Sequence, residues 1–535
     1  MPMQPQTPPT ESPATKASPS SKSKPDQGGA RINASMSPIK PENFGYDQAR
    51  HLLWRAGFGG TPRQIQALAS WGHERAGEYM VNFDHVPGEG VKAGTYEKDI
   101  MHPPTAEERA AQAEARKNRD EEKLQQLQAE RQKRERRDRV QIGEMQKWWL
   151  KRMIETPRPL EEKMTLFWHG HFATNYRTIE NSYHMFMQNE MFRKHAVGNF
   201  SNLMFEIIRD PAMIAYLNNN DSRKGKANEN LAREIMELFS LGIGSYTEND
   251  IKEGARALTG YTFNDDAFTF NKGNHDDGEK TIFGKRGKFD GDGFVKLILE
   301  QPAVSNYITR KLYHFFVHEL PPLERAEDSK LDASIRGSMR DLASTFLRSK
   351  YEVRPVLKRL FLSEHFYSPA FMNEQIKGPA QVIVGAMRSL DTPVRDLSIL
   401  NDALDLMGQN ILFPPSVKGW DGGRTWINTS TLYVRQNIMA FLITGKRPQG
   451  YDPSAETERY DPMPLLSELK TAEPAAMSDP VKVVDYLLKL TLGSTPARAQ
   501  EPLLSFLAKN GNQLGSDHVR GLLLLITAMP EYQLC

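Results

Sequence analysis

The stretch Asn228-Glu229-Asn230-Leu231-Ala232-Arg233-Glu234-Ile235-Met236-Glu237-Leu238-Phe239 decides the fold class. Leu231, Ile235, Leu238 and Phe239 recur at helical spacing, so they predict an amphipathic helix with one buried side. Asn230, Glu234 and Glu237 share a neighbouring face at i, i+4 and i+7. Outward from this helix the same periodicity recurs. It runs from Val140 to Ile154, Leu160 to Trp168, Tyr307 to Val317, Leu331 to Leu347, Ala380 to Leu390 and Leu432 to Leu442. The expected fold is mainly α, a multi-helical globular body. One segment breaks the pattern. Residues 261–292 set Tyr261, Phe263, Phe268, Phe270, Ile282 and Phe283 among Gly, Asn and Asp, which suits short strands or an ordered loop.

Composition sets the outer limits. At 535 residues with 39% hydrophobic and 25% charged side chains, the chain is long enough for a large core or two to three domains. A formal charge of +2 lacks the basic excess of a dedicated nucleic-acid binder, so no nucleic-acid partner is expected. Cys535 is the only cysteine, which rules out an intrachain disulfide and any cysteine metal cluster. No apolar run approaches a membrane span. The Pro, Ser, Thr and Gln-rich start carries no apolar signal segment, so the default expectation is cytoplasmic.

The domain reading follows from these shifts in composition. Residues 1–42 are expected to be a disordered tail and 43–446 a helical core domain. Residues 447–462 read as a linker and 463–535 as a C-terminal helical segment. Within the core, residues 105–138 carry a dense run of Glu, Arg, Lys and Asp with Leu124 and Leu127 as the only large apolar residues. Opposite charges three or four apart support a helix. The expectation is a protruding charged helical arm, either simply solvated or docking a partner.

The chemistry candidates begin with Leu166-Phe167-Trp168-His169-Gly170-His171-Phe172. Gly170 and the loss of periodicity suggest an extended segment, in which both imidazoles face one way and can share a metal. On a helix they would diverge by about 200°. The alternative is that each ring bonds backbone in an apolar pocket. A carboxylate such as Glu234, and His275, would complete a divalent transition-metal site, with Glu237 or Asp276 as general base. Asn230 and Arg233 would orient a substrate. Glu229, Arg233 and Glu237 equally form a plain charge ladder. Lys418, Trp420, Arg424 and Trp426 suggest a basic-aromatic pocket for a sugar or polyanion, or a structural plug.

Several of these motifs together resemble a bacterial family catalogued as domain of unknown function 1800. The resemblance rests on Leu53-Trp54-Arg55-Ala56-Gly57-Phe58-Gly59, Phe167-Trp168-His169-Gly170-His171-Phe172 and Asp210-Pro211-Ala212-Met213. It continues through 228–244, Ala255-Arg256-Ala257-Leu258-Thr259-Gly260, His275-Asp276, Lys418-Gly419-Trp420 and Trp426-Ile427-Asn428. It spans roughly 46–445. It transfers no activity. Members are often encoded beside a partner family bearing export signals, so the resemblance implies a protein partner encoded nearby and an exported complex. Three functions stand at this point: a metal-assisted hydrolytic or oxidative enzyme, a non-catalytic helical scaffold that docks a partner, and a carbohydrate or polyanion binder.

Overall fold

The structure is a computed structural model that describes residues 32–88, 95–321, 330–452 and 458–535. Helices run from Tyr46–Arg55 to Ser516–Thr527, and the sheets among the described residues are two antiparallel pairs. Tyr261–Asn264 pairs with Ala267–Phe270, and Lys280–Ile282 with Lys285–Gly287. The protein is therefore mainly α with a small β insert.

Helix Pro159–His171 lies at the centre. Every residue in it except Gly170 is buried, including Glu161, Glu162, Lys163, His169 and His171. A helix buried on all sides must bring its own polar compensation. Glu162 accepts from Trp149 Nε1 at 2.9 Å and from Arg193 Nε and Nη2 at 2.8 and 3.0 Å, and it also meets Arg152. Burial pushes its carboxyl upward, but Arg193 and Arg152 outweigh that and hold it below the ordinary value. Trp149 and Arg152 come from helix Glu121–Glu155, and Arg193 from helix Ser182–Lys194, so this one carboxylate ties three helices together.

Three boundaries differ from the sequence reading. Residues 1–31 of the expected tail lie outside the described residues. Within 32–42, however, Met36 and Ile39 are buried, and Ile39 donates its amide to Leu362 at 2.7 Å. The expected linker is packed at Tyr460, which is 3% exposed and donates its hydroxyl to the Leu390 carbonyl. The helices beyond it share the same core: Arg50 donates to the Leu490 and Thr491 carbonyls at 2.8 and 2.7 Å, and Leu534 bridges Ile376. Composition marked a loop at 447–462, but apolar side chains on both sides of it still meet in one interior.

Helix Glu121–Glu155 pairs with helix Ala106–Asn118, and Arg134 reaches Glu108 at 2.9 Å between them. Burial within the longer helix begins at Asp138, which accepts from Tyr176 and Ser182. Residues 121–137 therefore extend about 25 Å along the helix axis before any of its side chains is buried.

Candidate functional site

The His-Gly-His segment is helical to its last residue, not extended. The 411–420 loop packs directly on the end of this helix. Gly419, at φ +81°, lies so close that an added Cβ would overlap the Gly170 carbonyl, and the Trp420 ring covers Gly170. A glycine inside a helix costs about 1 kcal/mol; the close approach requires the bare backbone of Gly419, whereas a Cβ at Gly170 would meet the Trp420 ring at 3.7 Å, an ordinary contact. The consequence is that His169 and His171 point about 200° apart around the helix.

Each imidazole is committed to backbone. His169 is 1% exposed; its Nε2 accepts from the Leu412 amide at 3.0 Å, and its ring meets Trp149 and Trp420 edge-on at 5.4 and 5.5 Å. An acceptor Nε2 on a neutral ring requires the proton on Nδ1. His171 is the reverse: its Nε2 donates to the Phe239 carbonyl at 3.0 Å, so Nδ1 is bare, and it is buried without a hydrogen bond. Burial pushes His169 down to about 3. Burial, then the nearby Lys311 ammonium, pushes His171 down to about 3. Both rings are neutral at pH 7.

The carbonyl that His171 meets belongs to a π-helical turn, Glu237–Leu241, which follows helix Glu229–Met236. Widening a helix to i→i+5 bonding redirects carbonyls, and side chains meet three of them here. Ser240 Oγ donates to Ile235, Tyr307 OH to Leu238 at 2.6 Å, and His171 Nε2 to Phe239. Tyr307 comes from helix Ala303–Phe316. The sequence reading missed Tyr307, because only the fold brings residue 307 to residue 238.

The other candidates stand elsewhere. Glu234 is half-buried, and burial, then the Glu237 charge, raises it to about 7. Glu237 accepts from Tyr246 OH at 2.5 Å. Asn230 is exposed, and Arg233 pairs with Glu229 and Glu248 at 3.2 and 3.0 Å. In the β insert, His275 Nδ1 donates to the Thr259 carbonyl at 2.8 Å. Asp276 is held by Arg256 at 2.8 Å, and that pairing lowers it to about 2. Its charge is held by that ion pair. Lys418 and Arg424 are exposed, and Lys418 lies 3.4 Å from Asp421. Trp420 packs on His169, and Trp426 is 8% exposed, so the second ring offers a ligand almost no surface.

The expected ligand set is not brought together: His169 and His171 diverge, and among the described residues no group of three or more His, Cys, Asp or Glu is arranged to hold a metal ion. The bare His171 Nδ1 is a single donor among Phe167, Trp168, Phe172, Phe239 and Tyr307 rings, with a lysine charge nearby.

Comparison with known proteins agrees with the motifs. The family described as "Protein of unknown function (DUF1800)" matches residues 51–534. The chain belongs to the DUF1800 family. The match runs from the first core helix through the C-terminal helices, so the DUF1800 region includes the segment beyond 462. No curated protein and no solved structure matches the chain. No described helix is long and apolar enough to cross a membrane.

Proposed function

We propose that this DUF1800 chain is a non-catalytic helical scaffold that docks a protein partner. In this reading its His-Gly-His and Glu-rich motifs hold the centre of the fold. The observation that carries it is the opposite use of the two imidazoles: His169 accepts from Leu412, and His171 donates to Phe239. Each joins the central helix to a different neighbour, one to the 411–420 loop and one to the π-turn. Neutral rings used in this way supply neither a shared metal nor a proton at pH 7. The docking element is the hairpin of Ala106–Asn118 and Glu121–Glu155, whose outer part presents charge of both signs and contributes little to the core.

Elemental analysis of purified protein, with and without His169→Gln and His171→Gln, tests the first half. The scaffold reading expects no stoichiometric transition metal in either form. A metal present in the parent and lost in the double variant restores the metal-assisted enzyme. For the second half, residues 105–137 are replaced by a short Gly-Ser linker and the protein encoded nearby is tested for co-purification. Loss of the complex with unchanged thermal stability is expected; retention of the complex contradicts docking by the hairpin.

A further inference from the structure

Helix Pro159–His171 buries a lysine whose donors meet no acceptor among the described residues. Lys163, Lys280 and Lys377 are the buried lysines of the described residues. Lys280 donates to the Asp276 and Gly278 carbonyls, and Lys377 donates to the Tyr532 carbonyl at 2.7 Å. Such bonding is the usual condition for burying an ammonium group. Lys163 lacks it. Its Nζ lies 4.9 Å from the centre of the Phe58 ring and 5.5 Å from that of Phe315, and it has no hydrogen bond or ion pair among the described residues. Ring faces alone do not account for the difference, because Lys377 lies over the Trp54 and Tyr532 rings and still donates.

The surroundings of Lys163 favour its neutral form. Burial lowers it to about 8; Cys535 draws it back up, and the Arg55 guanidinium of helix Tyr46–Arg55 pushes it down again. Those two are the titratable groups that face it. An amine desolvated against apolar rings and set beside another cation is the arrangement that makes a lysine nucleophilic near neutral pH. At pH 7.5 about a quarter of such an amine is neutral, against about one part in a thousand for a lysine in water. The lower basicity gives back only part of that advantage. Phe315 is partly exposed, so the amine lies one ring below the surface.

We propose that Lys163 captures a small apolar aldehyde as an imine, the alkyl part of the aldehyde lying against Phe58 and Phe315. The Nζ lone pair attacks the carbonyl carbon and a C–N bond forms. The nitrogen gives both of its protons to the carbonyl oxygen, the C–O bond breaks, and the oxygen leaves as water. The product is a reversible C=N bond, with no change of oxidation state. The inference goes beyond the scaffold reading and does not depend on it. The test treats the full chain with propanal and sodium cyanoborohydride, whose hydride reduces the imine to a stable secondary amine, and reads each lysine by peptide mass spectrometry. At pH 7.5 Lys163 should be alkylated at least tenfold faster than the exposed Lys98 and Lys133. Its rate should level off above about pH 8. Lys377, which burial lowers to about 7 but which is bonded to Tyr532, should stay behind Lys163, and this comparison separates free donors from burial alone. The preference should vanish in urea. Alkylation of Lys163 no faster than that of the exposed lysines or of Lys377, or a preference that survives in urea, overturns the proposal.

Discussion

Replacing His171 by alanine and by glutamine separates a structural pin from a ligand or base. Alanine removes a ring enclosed by five aromatic neighbours and leaves the buried Phe239 carbonyl without its donor. The unmade hydrogen bond costs about 1–3 kcal/mol, and deleting a buried ring costs about 3–5 kcal/mol, so a loss of about 4–6 kcal/mol is expected once partial overlap of the two effects is allowed. Glutamine places an amide N–H where Nε2–H stood, so its cost should fall to about 1–2 kcal/mol of imperfect packing. Both variants should also change the pH dependence. Burial, then Lys311, holds His171 at about 3, against 6.5 for a free histidine. Below pH 6.5 the unfolded chain takes up a proton that the folded chain refuses. The stability this group allows is thus intact above 6.5 and lost as pH falls toward 3, at about 1.4 kcal/mol per pH unit. Urea unfolding at pH 7.5 and pH 5 reads both effects. Glutamine as damaging as alanine, or an unchanged pH slope in both variants, would refute the reasoning.

Glu162→Gln leaves Arg193 buried opposite a neutral amide and should cost about 3–5 kcal/mol in urea unfolding. Gly419→Ala forces the 411–420 loop off the Gly170 carbonyl; thermal unfolding should show a large loss, with Trp420 fluorescence shifting as the ring leaves His169. Glu234 is an acid raised to about 7 by burial and Glu237, so its contribution is intact below pH 4.5 and lost as pH rises through 7. Glu234→Gln should therefore be more stable than the parent at pH 8.5 and no more stable at pH 4.5.

Much of the fold was legible because local chemistry and packing agreed. Thr61 caps helix Pro62–Val81, and Thr247 with Asp250 forms a reciprocal cap, so these helix starts are fixed by residues adjacent in sequence. The apolar stripe of 228–239 folded as its period required as far as Met236, where the α-helix widens into the π-turn and leaves Leu238 half-buried. The site was legible only as a set of buried polar residues, not as a geometry. Gly170 suggested a break because the loop that packs on it, at Gly419 and Trp420, is some 250 residues away. The π-turn was invisible because the side chains that satisfy its carbonyls include Tyr307 and His171, placed by tertiary structure.

The most direct measurement of the central claim is the nitrogen-15 spectrum of selectively labelled His169 and His171, assigned with the glutamine variants. The account predicts two neutral rings of opposite tautomer, Nδ1–H at His169 and Nε2–H at His171, unchanged from pH 7.5 to pH 5. Matching tautomers, protonation of either ring above pH 5, or shifts that respond to added transition metal would contradict it.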